Sequence, residues 1–461
     1  MAGCNVARRG AFPRRSAIRL MVTPRLSQKL ASLFPPAIIA LLGLALAVRI
    51  PLLPAVAHLP GNYSDMACWR AWAEAIHEHG LRNIFRTTDT NYIGYQYFLW
   101  MASAVYGLIS PGFAMPSRTL DILLKTPPVL FDVALVWLVF AVSRRLLRAN
   151  PHAAAAIQNQ FPFLSHLPLP LDDALALAPA TLIALHPAVL YDSAVWGQTD
   201  SIITFFMLGA IAAIAAGNAG FGLFLWAVGF AIKPQPVFIL PILVAFVWWQ
   251  SGWKGLGRGL LGVSAGLVLM LGYWLVYGQW NEIRHVYQML FTPEPTLSMQ
   301  AWNVWWFKVL HGDPTPASSA LAVGGLHLSY SAASILLCAV AGLLSLFYLR
   351  GHLDLIGLLE ASAFMAFAFF MLPVSSHERY AYPLLGLLAP VLLVKPKWLF
   401  LYVPLSATFF TNLYVVAPID EALSGRLVYS PLTEAMAALN VLMFGFLVAR
   451  LALVSLRPAR P

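Results

Sequence analysis

The feature that most constrains this chain is the recurrence of apolar stretches about 20 residues long with no charge near their centres. That is the length a helix needs to cross a hydrocarbon core roughly 30 Å thick. In lipid every backbone polar group must be satisfied within its own segment, so the predicted form of each stretch is a helix. The fold class read this way is all-α: a polytopic membrane protein of about 12 transmembrane helices, with interfacial helices in the first outer loop. The spans fall near residues 33–54, 122–143, 173–190, 201–217, 221–233, 234–249, 259–278, 328–349, 355–373, 380–394, 398–416 and 431–449. Composition agrees: of 461 residues, 60% are hydrophobic and only 10% charged, far from a soluble domain.

Charge gives the sidedness. The segments assigned to the inside are 1–32, 144–173, 250–258, 350–354, 395–397 and 450–461, and they hold 18 of the 29 Lys and Arg. Of the 19 acids they hold only Asp172, Asp173 and Asp354. This is the positive-inside pattern, and it places both termini in the cytoplasm. Residues 93–110 would reverse the count if they crossed, so they are read as a re-entrant or interfacial helix.

The domain organisation is a basic cytoplasmic tail (1–32), one polytopic membrane domain (33–455) with outer loop 1 at 55–121, and a short cytoplasmic tail (456–461). A transit peptide, or an extension upstream of Met21, is the alternative reading of the Arg-rich first 20 residues. The net charge of +10 follows the segment ends rather than one soluble patch, so it speaks for topology and not for nucleic acid. Cys4, Cys68 and Cys338 are scattered and odd in number, which suggests neither a disulfide framework nor a zinc cluster.

Most acids are left on the outer side, so function is expected there. In the first outer loop, Ser64 is placed to cap a helix whose Met66, Trp69, Trp72, Ala73 and Ile76 share one face, with Arg70, Glu74, His77 and Glu78 on the other. Asp65 opens that helix. It is either a helix-start acid favoured by the macrodipole, or a general base aimed into a cleft at the membrane surface.

A second feature, His186 to Asp200, breaks the apolar pattern with Asp192, Trp196, Gln198 and Asp200, and Gly197 permits a tight turn. An amide and a carboxylate beside an indole suit sugar recognition, while interfacial anchoring by Trp and Tyr is the equal alternative.

The third feature runs from Tyr277 to Phe307, with Arg284 and His285 followed by Trp302, Asn303, Trp305 and Trp306. Such a loop suits an anionic headgroup and an isoprenoid tail, or else an aromatic belt. The fourth, Pro373 to Pro383, gathers His377, Glu378, Arg379 and Tyr380, a set able to hold a phosphate or to form a salt-bridged helix cap. Inside the spans Lys125, Asp132, Lys233 and Glu360 need partners. Lys125 and Asp132 are read as structural, and Lys233, ahead of Pro234 and Pro236, as facing the outer cleft.

In this order the motifs resemble the GT-C superfamily of integral membrane glycosyltransferases that use polyprenyl-phosphate sugars. Within it the chain looks like the glucosyltransferases of asparagine-linked glycosylation and the bacterial relatives of the second GPI mannosyltransferase. The resemblance rests on the acid of SDMACWRAWAEAI (Asp65), the Trp-Gly-Gln-x-Asp of Trp196 to Asp200, and the Lys-Pro-Gln of Lys233 to Gln235. It also rests on Asn303 and Trp305 and on the His-Glu-Arg-Tyr of His377 to Tyr380. Asn91 and Tyr92 stand where the family has Asn-Tyr-Pro-Pro, but Ile93 and Gly94 replace the prolines.

The resemblance implies inverting transfer of a hexose, mannose or glucose, from a polyprenyl-phosphate donor to a glycan, glycolipid or protein acceptor. The chain would sit in the inner (plasma) membrane of a bacterium, surrounded by lipid, with its active site periplasmic. Asp65 would be the catalytic base. Arg379, His377, Arg284 and Lys233 would serve the donor phosphate, and Gln198, Asp200, Trp196, Glu378, Tyr380, Asn303 and Tyr92 the sugar or acceptor. No cofactor is required, and a second acid such as Asp89 or Asp200 keeps a divalent ion open. A transporter or flippase of lipid-linked or envelope glycans, a polysaccharide ligase and a non-enzymatic assembly factor are the rival classes.

Overall fold

The structure, a computed structural model, describes residues 33–59, 64–90, 92–290, 296–310, 315–323, 326–423 and 426–456. The tails at 1–32 and 457–461, and Asn91, lie outside the described residues. The chain is 78% helical, and among the described residues strands are limited to two short pairs, so the all-α expectation holds. Ser298–Met299 runs parallel to Ser376–His377, and Ala320–Val323 pairs antiparallel with Leu326–Ser329.

Among the described residues, five helices are long and apolar enough to cross a membrane. They are Arg118–Ala149, Gln235–Val276, Tyr330–Arg350, Pro396–Val416 and Pro431–Ser455. A sixth is added if Leu171–Ala184 and Pro187–Trp196, bent by 51°, count as one broken span. The structure therefore does not reach the expected 12. Pro36–Leu52, Asp200–Ala215, Ala219–Ile232 and Leu355–Met371 occupy expected spans but are only 10–17 residues long. Prolines account for two of the breaks: Pro234 stops Ala219–Ile232 at the boundary already expected between 221–233 and 234–249, and Pro187 cuts the expected span 173–190 after Ala184.

The helices used below are, in chain order, α1 (Pro36–Arg49), α2 (Asp65–His79), α3 (Gln96–Ile109), α4 (Arg118–Ala149) and α5 (Leu171–Ala184). They continue with α6 (Asp200–Ala215), α7 (Ala219–Ile232), α8 (Leu240–Val276), α9 (Trp280–Leu290) and α10 (Tyr330–Arg350). The last are α11 (Leu355–Met371), α12 (Tyr382–Leu388), α13 (Leu399–Val416) and α14 (Pro431–Ser455).

Helix α8 is two helices joined at Gly252, whose φ of 57° and ψ of −149° are not helical. A Cβ on Gly255 would lie 3.0 Å from Val247 Cγ1, although eight residues separate them. In a straight helix eight residues span about 12 Å, so the chain turns back there. The long Gln235–Val276 segment counted above is thus two arms that join where the two expected spans 234–249 and 259–278 meet. Beyond the turn, small residues set the packing. A Cβ on Gly262 would come within 2.0 Å of the Gly220 carbonyl oxygen, and one on Gly266 within 2.8 Å of Ala227 Cβ. Backbones approach this closely only where side chains are absent.

The segment at 93–110 forms α3, about 21 Å long and so too short to span. It lies along α2, with Ser103 Oγ donating to the Ala73 carbonyl at 2.8 Å.

Two polar ties cross the apolar core. Arg49 and Asp132, both fully buried, pair at 2.8 Å, and Arg49 also donates to the carbonyls of Ala45 and Ala184. Tyr382 donates to Asp132 at 2.7 Å, and Ser193 does so as well. Lys125 does not pair with Asp132: its buried Nζ donates to the carbonyls of Val195 (2.8 Å), Leu53 (3.2 Å) and Ala55.

Residues of the segments assigned to the inside bind one another or neighbouring helices. Arg145 donates to the α6 C-terminal carbonyls of Ala212 and Ala215, Gln250 to Leu353, and Lys395 and Arg450 both approach Glu360.

Candidate functional site

Asp65 is the first residue of α2. Ser64 before it is extended, and its hydroxyl accepts from the Met66 N–H at 3.3 Å, the cap its sequence position predicts. The face predicted to be buried is buried: Met66, Trp69, Trp72, Ala73 and Ile76. Arg70 on the opposite face is half-buried and grips Asp121 through two bonds of 2.6 and 2.7 Å, tying α2 to α4.

The Asp65 carboxylate is 20% exposed. Its Oδ2 accepts from Trp196 Nε1 at 3.0 Å and Gln198 Nε2 at 2.6 Å, and Arg379 Nη1 stands 3.9 Å from the same atom. Trp196 and Gln198 arrive through a π-helical turn, Tyr191–Trp196, followed by Gly197 at φ 81°. Such turns are rare and concentrate at functional sites. A Cβ on Gly197 would meet Met66 Sδ at 2.8 Å and Lys125 Cγ at 3.1 Å, so only glycine fits both the dihedral and the space. Lys125, bonded to the Val195 carbonyl, clamps this turn from behind.

Asp200 opens α6, and its two oxygens accept from Lys233 Nζ at 2.8 and 2.9 Å. Lys233 sits where α7 stops before Pro234, with Nζ 5.4 Å from the Tyr380 ring centroid. Gln235 donates to the Tyr380 carbonyl at 3.2 Å. The His377–Tyr380 turn supplies the cation. Arg379 Nη1 donates to Glu378 Oε1 at 2.6 Å, its Nε lies 3.9 Å from Asp200 Oδ2, and its Cζ is 5.8 Å from the Trp196 ring centroid. His377 Nδ1 is 3.9 Å from Glu378 Oε2, and its ring lies 5.2 Å from that of Tyr380. Tyr92 leans on Trp69 at 5.6 Å, near enough to Arg379 and Tyr380 to bear on their charge.

These groups fix one another's protonation. Burial alone would lower the Arg379 guanidinium, but the carboxylates of Glu378 and Asp65 outweigh it and hold the group protonated. Burial pushes the Glu378 carboxyl up, with Arg379 opposing. The His377 side chain keeps 27% of its surface exposed, yet burial of the rest, with Arg379 and Lys233 facing it, lowers the imidazole well below its ordinary value. The neutral form is thus favoured at pH 7.

The structure therefore brings together Asp65, Trp196, Gln198, Asp200, Lys233, His377, Glu378, Arg379, Tyr380 and Tyr92 from five separate stretches of sequence. It does not bring in Arg284, which is exposed on α9. Asn303 is buried and structural: its amide donates to the Phe370 and Pro373 carbonyls and its oxygen accepts from the Trp305 N–H. Trp302, Trp305 and Trp306 are buried as well, donating to or accepting from α13, α14 and the end of α11 rather than forming an exposed belt.

Sequence reasoning gave Asp192 no role of its own. It is fully buried beside Asp200 and Lys233, and among the described residues neither of its carboxylate oxygens has a hydrogen-bond partner. Asp89 is exposed, and among the described residues no group of three or more His, Cys, Asp or Glu is placed to hold a metal.

No family model matches the chain, and no curated protein matches it.

Proposed function

We propose that the chain is an inverting glycosyltransferase that moves a hexose, mannose or glucose, from a polyprenyl-phosphate donor to an acceptor hydroxyl at the outer face of a bacterial plasma membrane. The finer topology belongs to the same proposal: about 12 spans, counting the short helices buried in protein, with both termini in the cytoplasm. The observation that carries it is the Asp65 cluster, a partly exposed carboxylate oriented by two neutral donors with a guanidinium 3.9 Å away.

In the proposed reaction Asp65 accepts the proton of the acceptor hydroxyl, and that oxygen bonds to the anomeric carbon. The bond from that carbon to the phosphate oxygen breaks on the opposite face, and its electron pair leaves with the polyprenyl phosphate. Arg379 meets the charge that grows on the phosphate, because charge-assisted bonds from a guanidinium are strongest to such oxygens. To do so it exchanges Glu378 for the donor, an exchange that protonation of the buried Glu378 would ease. Lys233 and His377 border the phosphate, while Trp196, Gln198, Asp200, Tyr380 and Tyr92 contact sugar or acceptor.

The test is release of free polyprenyl phosphate from a polyprenyl-phosphate hexose by the purified protein. Asp65→Asn is expected to lower turnover by about 100-fold or more, the scale of a lost general base. Near-normal turnover would remove Asp65 from the mechanism. Arg379→Ala is expected to weaken donor binding, and unchanged affinity would count against its phosphate role.

The rival reading, a transporter, draws on the buried Asp200–Lys233 pair at a helix break, since paired charges at broken helices mark transport paths. It requires that no free polyprenyl phosphate appear.

A further inference from the structure

An apolar groove lies far from Asp65 in sequence, between α13 and α14. Its volume is about 590 Å³, and Phe400, Leu442 and Phe446 form its outer walls, 89%, 71% and 63% exposed. Apolar exposure of that extent is stable only against lipid or a partner. One end of the groove is different: there Lys397, Trp398 and Arg450 line it.

The charge at that end is unbalanced. Lys395 pairs with Glu360 at 2.7 Å, and Glu360 also accepts from Trp398 Nε1 at 2.7 Å and from the Tyr348 hydroxyl, so its carboxylate is satisfied without Arg450. Arg450 Nη2 stands 3.8 Å from Glu360 Oε1, beyond hydrogen-bond reach, while its Cζ lies 4.2 Å over the Trp398 ring. The guanidinium thus rests over the indole with donors to spare. Lys397 is exposed and makes no ion pair among the described residues. Three cations face one acid, which leaves two positive charges at the mouth of an apolar groove.

We propose that this groove is a binding site for one anionic phospholipid, its phosphate between Lys397 and Arg450 and an acyl chain along Phe400, Leu442 and Phe446. Charge and shape match that occupant: basic pockets between membrane helices favour anionic headgroups, and among the described residues no carboxylate lines the groove to pair with the cation of a zwitterionic one. The inference rests on the membrane setting of these helices and not on glycosyl transfer, so either can fail without the other.

The experiment uses the full chain, purified in detergent and exchanged into mixed phosphatidylglycerol and phosphatidylcholine, with bound lipid counted by native mass spectrometry after mild delipidation. The wild type is expected to retain phosphatidylglycerol severalfold over phosphatidylcholine. Lys397→Glu, at an exposed position outside the packed core, should abolish that preference. Leu442→Trp, which fills the groove without touching charge, should reduce total retention. Equal retention of the two lipids, or a preference unchanged in Lys397→Glu, would overturn the proposal. So would a dimer in which the α13–α14 face is covered by a second copy and holds no lipid.

Discussion

Gly197 joins the two donors that orient Asp65, and it is the residue where substitution is expected to act most locally. An alanine there is strained at φ 81° and collides with Met66 and Lys125. The expected loss is about 1–3 kcal/mol, seen as a lower unfolding temperature together with lower activity. A full-strength Gly197→Ala protein would show that the turn is more forgiving than its contacts.

His377 gives a pH prediction. Its imidazole is lowered in the folded protein, whereas in the unfolded chain it titrates near its usual value of about 6.5. As pH falls through that range the unfolded state binds the extra proton, so stability present above about pH 6.5 is lost below it. His377→Gln should flatten the fall in unfolding temperature between about pH 7.5 and 5.5. An unchanged slope would assign that fall to other groups.

At the scale of elements, the contact between α7 and the second half of α8 depends on missing side chains. Gly262→Ala places a methyl 2.0 Å from a backbone oxygen that cannot rotate away, so the helices must separate. The expected cost is about 3 kcal/mol, the upper end of overpacking penalties, read as a drop in unfolding temperature. Gly257→Ala nearby meets nothing within 4 Å and serves as the control.

Much at this scale was legible in the sequence. The spacing of Met66, Trp69, Trp72, Ala73 and Ile76 reports the buried face of α2 directly, and Ser64 reports its start. The motifs around Asp65, Trp196, Lys233 and Arg379 named residues that do meet. Helix length was legible for Asp200–Ala215, Ala219–Ile232 and Leu355–Met371, which lie within two residues of the expected spans. The break at Pro187 inside the expected span 173–190 was not, because hydropathy averages over a helix and the irregular backbone that follows it. Pairing was not legible either. Arg49 lies inside an apolar stretch and its partner is 83 residues away, a distance at which periodicity carries no information.

For the whole molecule that Arg49–Asp132 tie matters most. It joins α1 and α4, reaches α5 through the Ala184 carbonyl, the π-helical turn through Ser193, and α12 through Tyr382. Removing one partner of a buried pair leaves the other charge uncompensated, so Arg49→Met is expected to destabilise by about 3–5 kcal/mol. The double variant Arg49→Met with Asp132→Asn should recover part of that loss. A single variant as stable as the wild type would show that the other partners of Asp132 suffice.

The turn that presents Trp196 and Gln198 to Asp65 is positioned from this same centre, and its effect reaches the carboxylate unevenly. Both donors and the nearest guanidinium nitrogen address Oδ2. The two oxygens of a free carboxylate are interchangeable, but here one is occupied and the other, Oδ1, carries the available lone pairs. In the proposed reaction Oδ1 is then the only atom that receives the proton. An acceptor hydroxyl must approach along its direction, so the protein would select among hydroxyls of one sugar by the angle at which each arrives.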